Sequence, residues 1–202
     1  HLLFAIFFIP LFFSCSEDND VTTPRNLAEY MATVSNQDFG EVIACAASAD
    51  GNASLSYIFY YPEIGATDIR YYEANSIDDD PNDFSNYRRQ ELSVSDVFGG
   101  KLQRFSRSDE TENWCLVTYV LDGKLHKSNV IRLKNVSSST TWTDDLAISY
   151  TTQLEPKFTW ADSATANDKI YFQVISDVSN NLLSGTYTYD KRFQFYETEN
   201  VV

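Results

Sequence analysis

Trp114–Lys134 reads WCLVTYVLDGKLHKSNVIRLK, and these residues decide the fold. Two runs rich in β-branched and aromatic residues flank Asp122-Gly123. Asp-Gly between two such runs marks a two-residue hairpin, because both turn residues must take positive φ. The turn sets a register, with Tyr119 opposite His126 and Cys115 opposite Val130. Outward from this hairpin the same texture repeats. Strands are expected at Glu41–Ser48, Leu55–Tyr61, Asp68–Glu73, Tyr87–Val94, Lys101–Arg107, Trp114–Leu121 and Leu125–Lys134. Turn chemistry fills the breaks: Asp50-Gly51-Asn52, Pro62-Glu63-Ile64-Gly65, the run from Asp78 to Asp83, and Gly99-Gly100.

Seven strands in about 95 residues fit an antiparallel β-sandwich of the fibronectin type III or immunoglobulin-like kind. His126–Leu133 resembles the last strand of a fibronectin type III domain, where a serine-containing break precedes the final apolar residues. Val136–Asp145 (VSSSTTWTDD) is rich in Ser and Thr and reads as a linker. Beyond it, Pro156–Trp160 and Tyr171–Val174 resemble the second and third strands of another such domain, in which a Trp and a Tyr stand on facing strands. Asn181–Tyr189 and Arg192–Tyr196 read as two further strands. The fold expected is therefore all-β, with tandem sandwich units at residues 39–135 and 146–202. The second is shorter than the roughly 100 residues a sandwich needs and is read as truncated, with an open apolar edge.

At the other end, residues 2–13 (LLFAIFFIPLFF) are apolar throughout and stop at Ser14-Cys15. Twelve residues are too few to cross about 30 Å of hydrocarbon as a helix. Leu11–Cys15 resembles a bacterial lipoprotein signal, which is cut before the cysteine while the thiol takes a diacylglycerol. The resemblance implies a signal peptide at 1–14, a covalent lipid on Cys15 as the one non-protein group, and no other cofactor. The chain opens on His1 without a basic segment, so the start of the reading frame is expected upstream. Ser16-Glu17-Asp18-Asn19-Asp20 resembles the export signal of surface-displayed lipoproteins of the Bacteroidota. The stretches SYIFYYPEIGATDIRYYEA and KIYFQVISDVSNNLLSGTYTYD resemble a family of such lipoproteins, which implies location and fold and names no activity. Residues 15–38 read as a flexible tether, with one short amphipathic stretch at Leu27–Val34.

Fifteen Lys and Arg stand against 29 Asp and Glu, a formal net charge of −14, so a nucleic-acid partner is not expected. The 7 glycines form no GxGxxG or GxxxxGK[ST] loop. With Cys15 lipidated, Cys45 and Cys115 remain, both on expected strands of one sandwich. A disulfide between them and two buried free thiols both stay open; a bridge needs Cα atoms within about 7 Å. His126 reads as an exposed strand residue. The register sets it roughly 13 Å from Cys115, beyond the reach of a nucleophile–base pair. Asp78, Asp80 and Asn82 match positions one, three and five of a calcium loop, but Asp83 replaces its glycine and Arg89 its final Glu. Asx turns explain the same residues without a metal. Tyr57, Phe59, Tyr60, Tyr61, Tyr71 and Tyr72 cluster on two strands read as neighbours; Tyr60, Tyr61, Tyr71 and Tyr72 are the candidate binding aromatics. Asp162-Ser163-Ala164 resembles a short O-glycosylation motif.

The expected function is that of a non-catalytic outer-membrane lipoprotein, exposed at the cell surface, binding protein or glycan. A structural subunit of an envelope complex is the alternative. A glycosidase, which needs two carboxylates about 5–10 Å apart in a cleft, ranks last.

Overall fold

A computed structural model describes residues 23–34, 39–50, 52–140, 145–161 and 170–195. The signal segment, Cys15, the acidic run after it, residues 141–144 of the linker and Asp162-Ser163-Ala164 lie outside the described residues. The chain runs α1 (Leu27–Thr33), β1 (Gly40–Val42), β2 (Ala44–Ala49), β3 (Asn52–Tyr60), β4 (Thr67–Ala74) and a 3₁₀ turn at Phe84–Asn86. It continues with β5 (Tyr87–Gln90), β6 (Ser93–Val97), β7 (Leu102–Ser108), β8 (Trp114–Leu121), β9 (Lys124–Ser128) and β10 (Ile131–Arg132). After these come β11 (Leu146–Thr152), β12 (Glu155–Trp160), β13 (Tyr171–Ser176), β14 (Leu182–Thr188) and β15 (Arg192–Gln194).

Strands β1–β10 form a two-sheet sandwich, antiparallel except where β1 joins β9. Sheet I has the order β1-β9-β8-β4-β5, with β10 also on β8; sheet II has the order β2-β3-β7-β6. This is the strand order of an immunoglobulin-type sandwich with β1 and β5 added at the two edges of sheet I. The β8–β9 hairpin closes as expected: Leu121 pairs with Lys124, Asp122 has φ 51° and Gly123 has φ 74°. Tyr119 faces His126, but Cys115 faces Ile131 rather than Val130. One extra residue enters the second strand after Ser128. The Ser128 hydroxyl accepts the Val117 N–H at 3.0 Å and donates to the Asn129 carbonyl at 2.8 Å, so a side chain replaces a ladder bond where the strand is interrupted.

Two other expected strands are also split. Glu41–Ser48 breaks at Ile43, with β1 parallel to β9 in sheet I and β2 in sheet II. Tyr87–Val94 breaks at Glu91-Leu92, with β5 in sheet I and β6 in sheet II. In both cases the strand changes sheet, and local strand propensity does not register such a change. Gly40 packs closely on His126, and a Cβ there would run into the imidazole unless it moved.

Two apolar clusters result. Val42, Ile58, Tyr60, Tyr71, Phe105, Cys115, Val117, Tyr119 and Leu133 fill the space between the sheets. Leu27, Tyr30, Tyr72, Ala74, Tyr87, Leu116 and Leu125 form a second cluster on the outer side of sheet I, under α1. Asn26 caps α1, accepting the Glu29 N–H at 2.8 Å. Leu27 and Tyr30, three positions apart on one helix face, are both buried. Tyr30 donates to Asp68 at 2.6 Å, and the Arg70 guanidinium lies 3.8 Å over the Tyr30 ring. The described part of residues 15–38 is therefore a docked cover and not a flexible tether. Burying Leu27 alone stabilises the docked state by about 1.5–3 kcal/mol.

The start of the expected linker is fastened down as well. Glu112 accepts from the Val136 and Ser137 N–H groups and the Ser137 hydroxyl, and Ser48 and Thr140 exchange two hydrogen bonds. In the second unit β11-β12-β15 form one sheet and β13-β14 another. Trp160 and Tyr171, one from each, meet edge to face at 5.4 Å. β11, absent from the strands expected, is exposed along its whole length.

Candidate functional site

Burial separates the candidate aromatics. Tyr60, Tyr71 and Tyr72 are only 1–2% exposed, while Tyr61 is 37% exposed. The strands that carry them are not neighbours: β3 belongs to sheet II and β4 to sheet I. Tyr60 and Tyr71 meet across the core through Phe105, at 5.0 and 5.4 Å. Tyr72 points the other way, yet it is covered by α1 and stacks with Tyr30 at 6.3 Å. Alternation along β4 exposes neither face because both faces are covered. Burial pushes the Tyr60 hydroxyl up to about 12 and Tyr71 well above the usual phenol range.

The outward aromatics of sheet II are instead Tyr57 and Phe59. In register across the sheet, Cys45, Phe59, Arg104 and Ser95 form one row. Ala47, Tyr57, Ser106 and Ser93 form the next. The two rings lie 6.1 Å apart, Arg104 sits 4.1 Å over Tyr57, and its Nε donates to Ser95 Oγ at 3.1 Å. No carboxylate occupies these rows, although the chain carries 29 acids. Small neighbours on both sides leave the aromatic pair as the relief of this face.

A second feature opens at the end of the sandwich, where β4, β5 and the β7–β8 connection meet. Here a cleft of about 410 Å³ is lined by Glu73, Asn75, Arg88, Gln90, Arg107 and Asp109, among others. Its floor is an ion network. Arg107 donates to Glu73 from Nε (2.5 Å) and Nη2 (3.2 Å), to the Asp109 carbonyl (2.9 Å) and to Thr111 Oγ1 (2.9 Å). Glu73 also accepts the Tyr71 hydroxyl at 2.7 Å. Burial by itself would lower the Arg107 pKa, but the Glu73 hydrogen bond and charge outweigh it and raise the value. The Thr111 backbone N–H is the main cause holding the Asp109 carboxyl below its usual range. Glu73's oxygens are filled by three donors, and the Asp109 carboxylate lies 3.7 Å from Arg107 Nη2. The run Arg88-Arg89-Gln90 carries the signal for the rim: a strand whose inward positions are polar.

The remaining candidates fall elsewhere. Cys45 and Cys115 are free: Cys45 is exposed on the outer face of sheet II, whereas Cys115 is buried between the sheets, where burial pushes its thiol up to about 12. They stand on different sheets, Cys45 pointing away from the core and Cys115 into it, so the disulfide is set aside and only Cys115 is a buried thiol. His126 is half-buried rather than exposed; it stacks on Tyr119 at 5.0 Å, with Nδ1 3.2 Å from the Glu41 carbonyl. In the loop of Asp78, Asp80 and Asn82, Asp80 accepts the Asn82 N–H (2.9 Å) and Asp79 the Ser76 N–H (2.9 Å), and Asp78 donates its own N–H to Ser76 Oγ (3.2 Å). These turns hold the loop, and no group of three or more His, Cys, Asp or Glu side chains suited to a metal occurs among the described residues.

The fold and surfaces define an all-β antiparallel sandwich with one aromatic, acid-free sheet face and one polar end cleft. No protein-family model, curated protein or solved structure matches the chain.

Proposed function

We propose that the chain is a non-catalytic recognition module, lipid-anchored at Cys15 and displayed on the outer membrane, whose docking face is the outer surface of sheet II. One observation carries the docking reading: Tyr57, Phe59 and Arg104 stand together, free of acids, on the solvent side of central strands in a strongly acidic chain. Aromatic residues and Arg, with other charges depleted, characterise the centre of protein interfaces, so a protein partner is favoured over a glycan. The anchoring reading is supported by the apolar run that stops at Ser14-Cys15.

The two parts are tested separately. For docking, the full chain with Tyr57→Ser and Phe59→Ser is displayed beside the unchanged chain and challenged with envelope proteins of the producing cell. Captured proteins should be lost from the variant and retained by a control altered at Ile64, which is 97% exposed and lies off this face. Equal capture by both variants defeats the proposal. For anchoring, labelled palmitate should enter the full chain and fail to enter Cys15→Ala. Label in neither protein, or equal envelope retention of both, removes the anchor.

A further inference from the structure

The end cleft has two parts with different hydrogen-bonding states. Its floor is held: Arg107 is 3% exposed in its side chain and donates four hydrogen bonds, to Glu73, the Asp109 carbonyl and Thr111. Separating Arg107 from Glu73 would strand a buried charge, which holds this pair in place. Its rim is the opposite. Asn75, Gln90 and Ser108 are exposed and make no side-chain hydrogen bond among the described residues. Arg88 is steadied by one bond, Nη1 to the Ser85 carbonyl at 2.7 Å, which leaves its other N–H groups open.

The position of β5 explains the rim. Arg88 and Gln90 pair with Glu73 and Tyr71 and so point to the inner side of sheet I. β5 is the edge strand of sheet I, and both side chains are exposed there although they point inward. Inward-pointing polar side chains on an edge strand over a fixed floor are an arrangement that a ligand can complete.

The charges select its class. Glu73 and Asp109 contribute two negative charges, Arg88 and Arg107 two positive ones, and the cleft is neutral. A free anion would face Asp109, and a free cation would face Arg88. Planar amides, a guanidinium and a carboxylate offer paired donors and acceptors that match adjacent hydroxyl groups. Leu92 adds one apolar contact. The volume lies near the lower end of the range of about 300–1,000 Å³ that takes small ligands. We propose that this cleft binds one neutral hexose unit, through Arg88, Gln90, Asn75 and Asp109, at a site separate from the sheet II docking face.

The full chain is titrated with the methyl glycosides of glucose, galactose and mannose, and with glucuronate as an anionic probe, while chemical shifts of the cleft residues are followed. At least one neutral glycoside should shift them. Arg88→Ala and Gln90→Ala should each weaken that binding about ten- to a hundredfold, with the unfolding temperature unchanged because both side chains are exposed. Tyr57→Ser with Phe59→Ser should leave it intact, which separates this site from the docking face. The proposal fails if none of the three glycosides shifts the cleft residues, if glucuronate alone does, or if the Arg88 and Gln90 variants bind as tightly as the parent.

Discussion

A tyrosine's place in the sequence says little here about its environment. Tyr71 and Tyr72 are adjacent, face opposite ways, and are both buried, one between the sheets and one under α1. The alternation was legible; the second cover was not, because it comes from residues some forty positions away. Arg107 teaches the same lesson. In sequence it is one cation in a strand of alternating character, whereas in the fold it closes one end of the core against Glu73. Replacing it with Ala leaves Glu73, 12% exposed in its side chain, without its partner. Arg107→Ala should cost about 3–5 kcal/mol of unfolding free energy in a denaturant titration. Arg107→Lys should recover part of that, since it keeps the charge and loses the forked geometry. A loss under about 1 kcal/mol for the Ala variant would show that the ion pair contributes little.

Among the elements, the β8–β9 hairpin was readable because its turn chemistry is local: Asp122 and Gly123 both take the positive φ that the dipeptide predicts. The sheet changes at Ile43 and at Glu91-Leu92 were not, since a strand that crosses between sheets keeps the same propensities on either side. Helix α1 shows how weak a local signal can be. Seven residues cannot hold a helix in water by themselves. Packing of Leu27 and Tyr30 on Tyr72, Leu116 and Leu125 stabilises it. Leu27→Ala should therefore lower stability by about 2–5 kcal/mol. Amide exchange should accelerate in α1 and under it, at Leu116 and Leu125, while the core between the sheets stays protected. Fast exchange throughout the sandwich would instead mean that α1 and the sandwich unfold as one unit.

For the molecule as a whole, buried hydroxyls and a buried thiol set an alkaline limit. Burial is the main cause raising Tyr60 and Tyr119 to about 12 from 10.0, and Cys115 to about 12 from 9.0. Each group loses its proton earlier when unfolded than when folded. Their stabilisation is complete below about pH 9 and drains away as pH rises to about 12. Unfolding free energy measured from pH 8 to 12 should be level at first and then fall. Tyrosine absorbance should show a late fraction that ionises together with loss of the fold. A flat profile to pH 12 would contradict these burials. By itself, the sequence determined the all-β class, the hairpin register as far as Ser128, and the poverty of His, Cys and Gly motifs, because each depends on residues close together in the chain. Only the tertiary structure decided which aromatics face water, that Leu27–Thr33 is a cover, and that Arg88 and Gln90 overhang a cleft. These depend on which sheet a strand joins and what lies against each face, and long-range packing fixes both.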